Sequence, residues 1–150
     1  MTQHGTGIDL DTSVGYLLKE ASSALRTAME EALRPLGLTV TQYSCLELLA
    51  QRPGVSASDL ARGAFVSRQS MNVVLQGLEQ DGLVTRSAEP AAGRTLPTRL
   101  TPRGRETLHH ATTAVRGVEV RMLDAMSQAE QSEALRLLRS MVRALRDPGA

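Results

Sequence analysis

Residues 56–86 read SASDLARGAFVSRQSMNVVLQGLEQDGLVTR, and the punctuation of this stretch decides the fold. Ser56 with Asp59 three residues on has the form of a helix N-cap, leading into Leu60 and Ala61. That helix is barely two turns long and stops at Gly63, where a positive φ costs little. Ser67 can cap a second helix. Its apolar positions Met71, Val74, Leu75 and Leu78 follow the i, i+3, i+4, i+7 spacing of a single buried face, and Asp81-Gly82 closes it. Two short helices joined by the tight link Gly63-Ala64-Phe65-Val66 are a helix-turn-helix pattern.

Past Gly82 the period changes to two. Leu83-Val84-Thr85-Arg86 and Thr98-Arg99-Leu100-Thr101 read as short strands, separated by Ala88 to Leu96 with Pro90, Gly93 and Arg94 between them. Pro97 confines the second strand to a sheet edge. A hairpin directly after a helix-turn-helix is a wing.

Upstream, Val14, Leu17, Leu18, Ala21, Ala24, Leu25, Ala28 and Ala32 predict an amphipathic helix from Asp9 to Arg34, ended by Pro35 and Gly37. Thr39 with Gln42 forms a capping box, and Tyr43, Leu46 and Leu49 carry a helical stripe to Gln51 before Pro53-Gly54 breaks it. Downstream, Pro102 stands at the first position of a long helix. Its apolar residues Leu108, Ala111, Val115, Val118, Met122 and Ala125 are spaced as a heptad seam. Ser127 with Glu130 is another capping box, and the last helix carries Leu135, Leu138, Met141, Val142 and Leu145 on one face.

The expected fold is therefore mainly α with a small β-hairpin wing, in one domain over residues 1–150. A winged helix-turn-helix core spans 36–104. The helices of 9–34 and 102–146 have more apolar surface than such a core can cover, so they are read as dimerisation helices, with an identical chain as the simplest partner.

Composition agrees. Apolar residues make up 41% of the chain but aromatic ones only 2%, so the core must be built of Leu, Val, Met and Ala, which suits helix packing and makes an all-β fold improbable. No run of 18 or more apolar residues occurs, and Met1 to Asp11 lack the basic start and apolar stretch of a signal peptide, so a cytoplasmic protein without membrane contact is expected. Cys45 is single and cannot form an internal disulfide.

The net charge of +1 hides a gradient. Residues 1–51 hold three basic groups against six acids, residues 52–105 hold eight against four, and residues 106–150 hold six of each. Positive charge thus gathers around the helix-turn-helix and wing. Sixteen of the 17 basic residues are Arg, the side chain suited to bidentate phosphate and guanine contacts, although a genome-wide preference for Arg gives the same count.

Opposite the core stripe of the second helix stand Arg68, Gln69, Asn72, Val73 and Gln76. Positions 69, 72, 73 and 76 again follow i, i+3, i+4, i+7 and share one face. Gln and Asn can bond adenine bidentately, Arg can bond guanine, and Val can touch a thymine methyl, which is the chemistry of major-groove readout. Ser67 and Ser70 at the helix start suit phosphate contact. On an arbitrary helix such a face would merely be solvated. Its place on the second helix of a helix-turn-helix, inside the basic third, points to double-stranded DNA.

The chain here resembles the MarR family of winged-helix regulators. The resemblance runs through Leu60-Ala61, Leu78-Glu79-Gln80-Asp81-Gly82-Leu83-Val84-x-Arg86, and Arg94 followed by Leu100-Thr101-Pro102-x-Gly104, and the helix order extends it over nearly the whole chain. It implies a homodimeric transcriptional regulator, such as a repressor, whose second motif helix enters the major groove of a pseudo-palindromic operator. It also implies that a wing-tip arginine, here Arg94, reaches the minor groove. Family wings commonly carry Asp two residues before that arginine, where this chain has Ala92. A small-molecule effector pocket between winged core and dimer helices is implied as well, with Tyr16, Tyr43, Cys45 and Phe65 as candidate lining residues.

Other chemistries find little support. His109 and His110 are adjacent on a helix and point about 100° apart, so they cannot chelate one metal together. Cys45, on a mostly apolar helix, reads as a buried structural thiol, and the chain has no cysteine near the start of its first helix, where peroxide-sensing members of the family carry one. No phosphate loop, G-x-S-x-G, H-E-x-x-H or supported Cys–His pair occurs, so neither an enzyme nor a cofactor is expected. The alternative is a winged-helix protein–protein interaction module without DNA binding. The polar Gln69, Asn72 and Gln76 face argues against it, because the core of a protein interface favours apolar and aromatic groups.

Overall fold

The computed structural model describes residues 7–86 and 98–147. Asp9 caps a 3-10 turn at Leu10–Thr12, and helix α1 follows over Val14–Leu33. Sequence periodicity runs the helix back to Asp9. Two caps compete there, and Ser13, whose hydroxyl accepts from the Tyr16 amide, starts the α-helix four residues later. A 3-10 turn at Arg34–Leu36 ends at Gly37. Helix α2 spans Val40–Gln51 behind the expected box, in which the Thr39 hydroxyl accepts from the Gln42 amide and the Gln42 side chain accepts from the Thr39 amide.

Helices α3 (Ala57–Gly63) and α4 (Arg68–Gln80) form the helix-turn-helix, capped by Ser56 and Ser67. The Asp59 side chain pairs with Arg62 one turn further along α3. The expected positive φ at Gly63 is corrected: the left-handed residue of this turn is Phe65, with φ 60°. Gly63 has a steric role instead, since a Cβ there would come within 2.9 Å of Leu48 Cδ1.

Strands β1 (Val84–Arg86) and β2 (Thr98–Leu100) pair antiparallel, with Val84 opposite Leu100, Thr85 opposite Arg99 and Arg86 opposite Thr98. Val84 and Leu100 face the core while Thr85 and Arg99 face out, the alternation that a half-buried hairpin requires. The wing tip, with Pro90, Ala92, Arg94 and Pro97, lies outside the described residues.

Helix α5 runs over Pro102–Leu123. Thr101 joins it to the wing: its hydroxyl donates to the Gly82 carbonyl at 2.7 Å and accepts from the Gly104 amide at 2.9 Å. The helix lies so close to the residue before β1 that a Cβ on Gly104 would stand 2.0 Å from the Leu83 carbonyl oxygen. The Thr101-Pro102-x-Gly104 spacing is thus a hinge between hairpin and helix with no room for a side chain. Helix α6 (Gln128–Arg146) begins with the capping box of Ser127 and Glu130.

The chain divides into two compact units, residues 1–115 and 116–150. The first unit holds the core, in which Leu33, Leu46, Leu60, Met71, Leu75 and Leu78 are buried and are joined by Cys45, Val84, Leu108 and Ala111. The amino-terminal half of the α5 seam is therefore spent inside its own chain. In the second unit Leu135, Leu138, Val142 and Leu145 stay exposed, and an apolar groove of about 570 Å³ is lined by Val120, Leu123, Leu135 and Leu138.

Candidate nucleic-acid interface

Helix α4 owes its orientation to its stripe. Met71, Leu75 and Leu78 are buried, which forces Arg68, Gln69, Asn72, Val73 and Gln76 outward, all exposed. Val73 is 65% exposed among these polar side chains. The two serines divide their work. Ser67 Oγ accepts from the Ser70 amide and donates to Ser70 Oγ, both at 3.0 Å, so its hydrogen is committed to the cap. Ser70 keeps its own hydrogen for an outside acceptor such as a phosphate oxygen.

The same basic third of the chain carries further exposed cations, Arg52, Arg62, Arg99, Arg103 and Arg105, besides Arg68. Arg99 stands on the outer face of the wing, and strand alternation could have singled it out from sequence. Arg94 belongs to the tip outside the described residues.

Arg86 differs from these. Its Nε and Nη2 atoms are buried without a hydrogen-bond partner among the described residues. Its charge also reaches Cys45, whose thiol is fully buried. Burial pushes that thiol from 9.0 up to about 12, with the Arg86 charge pulling weakly the other way. Cys45 therefore stays protonated and inert at neutral pH, as a buried structural thiol should.

The four candidate effector-lining residues differ widely in exposure. Tyr16 is exposed on α1, Cys45 is sealed in the core, and Phe65 is 82% exposed in the helix-turn-helix turn. Tyr43, half-buried, belongs to a polar cluster that sequence reasoning missed. Its hydroxyl donates to Glu47 Oε2 at 2.7 Å, Thr112 of α5 donates to the same oxygen at 3.0 Å, and Gln51 donates to Glu47 Oε1 at 3.0 Å. The i, i+4 spacing of residues 43, 47 and 51 was visible in sequence, but their partner on α5 was not. His109 and His110 meet edge to face at 5.7 Å between ring centroids, and no group of three or more metal-ligating side chains occurs among the described residues. No helix among them is long and apolar enough to cross a membrane.

Comparison with known proteins agrees with this geometry. A MarR family model matches residues 36–95. An HTH-type transcriptional repressor of Mycobacterium tuberculosis is 42% identical over 135 residues, covering 90% of this chain and 97% of that protein. A crystal structure of a Mycobacterium tuberculosis MarR family protein in complex with DNA matches with a TM-score of 0.72 at 40% identity, over 87% of this chain and 98% of that one. A structure of that protein with salicylic acid matches with a TM-score of 0.73 at 42% identity, over 87% and 97% of the two chains.

Proposed function

The chain belongs to the MarR family, and from that premise we propose that it is a homodimeric transcriptional repressor that reads its operator with α4. The observation that carries this reading is the outward face of Gln69, Asn72, Val73 and Gln76, held against a buried Met71, Leu75 and Leu78 stripe. The amides address adenine edges, Val73 a thymine methyl, and Arg68 a phosphate or guanine. Ser70 adds a phosphate contact, and Arg99 and Arg94 contribute from the wing. Residues 36–104 form the DNA-binding core, with dimerisation left to 9–34 and the carboxy-terminal helices. Binding selection on random duplexes tests the proposal. Two related half-sites about one helical turn apart are expected, and a selected pool without two-fold symmetry would defeat it.

The two buried nitrogens of Arg86 that have no partner among the described residues favour an effector that is a small anion, and the salicylic acid held by the Mycobacterium tuberculosis relative has that chemistry. An aromatic carboxylate bound there would recover two unmade hydrogen bonds of a buried cation. Salicylate should loosen the complex of protein and selected duplex, and Arg86→Gln should blunt that response.

A further inference from the structure

The chain closes a helix with a left-handed residue and the same hydrogen bond at three places. Leu38 donates to the Leu33 carbonyl across Gly37, Leu83 to the Leu78 carbonyl across Gly82, and Val66 to the Ala61 carbonyl across Phe65. Each is the i to i−5 closure that ends a helix when the residue before the donor has a positive φ. Glycine fills two of these positions without strain. The third carries a bulky aromatic at φ 60°, where its Cβ is crowded against the backbone.

No hydrogen bond or burial of the Phe65 side chain among the described residues repays that strain. Ala64 and Val66 on either side pack against the core, while Phe65 is turned outward and left 82% exposed. It is one of only three aromatic residues in the chain. A position that tolerates both backbone strain and a bare phenyl ring is one whose side chain is used on something outside the chain.

The surroundings say what that is. Phe65 precedes the α4 N-cap Ser67 by two residues and so borders the face already assigned to the major groove. Exposed guanidinium groups flank it in sequence, Arg62, which the exposed Asp59 holds in a surface ion pair, on one side and Arg68 on the other. An apolar ring between two cations complements one surface in particular, the sugar–phosphate strand, where deoxyribose alternates with phosphate. We propose that Phe65 is a DNA-backbone contact: its ring lies on a deoxyribose at the edge of the groove that α4 enters, while Arg62 and Arg68 address the adjoining phosphates. This rests on the DNA-binding reading above.

Phe65→Gly and Phe65→Asn test it, because both residue types accept a positive φ. Binding to a random-sequence duplex pool and to a selected operator is measured across a salt series, alongside thermal melting. Both variants should melt no lower than the parent and bind both DNAs about three- to tenfold more weakly. The slope of log affinity against log salt should not change, since a phenyl ring releases no counterion. Unchanged affinity would overturn the contact while leaving the regulator reading intact. A lower melting temperature would overturn it too, because the ring would then serve the fold, and a shallower salt slope would assign the loss to displaced arginines. Failure of the parent itself to bind any duplex would instead remove the regulator reading and this inference with it.

Discussion

Asn72 presents a carbonyl and an amino group from the middle of the exposed α4 face, the pair needed to meet an adenine edge with two hydrogen bonds. Gln69 stands one turn earlier on the same face. Replacing either with Ala should cost roughly 1–3 kcal/mol on the preferred operator and almost nothing on random DNA, because a base contact carries sequence information and a phosphate contact does not. Gel-shift titrations on both DNAs check this, and equal losses on the two would show the amides serving the backbone. Cys45 supports a prediction of another kind. Its folded pKa of about 12 lies above the ordinary 9.0, so the unfolded chain releases the thiol proton first as pH rises. Stability from this group is full below pH 9 and drains away between about 9 and 12. Denaturant midpoints at pH 8 and pH 10.5 should fall more for the parent than for Cys45→Ala. The recognition face was legible because it is the complement of a buried stripe written in one helix. Arg86 was not, since buried nitrogens without a partner among the described residues arise only when separate segments are packed together, and Phe65 was not, because Gly63 is the residue of that turn for which a positive φ costs least.

At the scale of elements, local chemistry announced most boundaries. The caps at Thr39, Ser56, Ser67 and Ser127 are all made as their spacing implied, because a capping hydroxyl needs only the amide three residues on. Glycine was harder to read, for it signals either a left-handed turn or a close approach. Gly63 was assigned the first role and has the second, whereas Gly82 closes α4 at φ 76° as expected. Gly104 shows how far a close approach constrains the wing. A methyl group there would collide with the Leu83 carbonyl, so α5 would have to move away from Leu83 and strain the Thr101 bond to Gly82. Gly104→Ala should therefore destabilise the chain by about 2 kcal/mol or more, in the range of overpacked sites, despite the helix propensity Ala adds. Thermal melting decides this, and a variant as stable as the parent would mean that the hinge gives way freely. DNA binding should weaken with it, because β2, which carries Arg99, leads directly into this hinge.

Across the whole molecule, much of the apolar surface that the described residues leave uncovered falls on the first and last helices, with Val120 and Met122 of α5 beside it. α1 buries only Leu33 and leaves Val14, Leu17 and Leu18 exposed, and α6 buries none of its residues. The sequence reads an apolar surplus on the terminal helices from 9–34 and 102–146, and within the second span Leu108 and Ala111 belong to the chain's own core. A period of 3.5 shows that a helix has an apolar face and not which partner covers it. That difference selects the substitution for the dimer. Val118 is nearly buried within the single chain, so an aspartate there would damage the protomer itself. Leu138, 44% exposed, can accept one without harm to the isolated chain. In a dimer, Leu138→Asp would place a charge in an apolar interface, at a cost of several kcal/mol if both copies bury it. Sedimentation at micromolar concentration should find the parent dimeric and Leu138→Asp monomeric, with unchanged helical circular dichroism. Operator affinity should then fall by about 10² or more, since the second half-site no longer gains from tethering to the first, while each α4 keeps its chemistry. A monomeric parent, or a Leu138→Asp variant that remains dimeric, would place the covering of the terminal helices elsewhere.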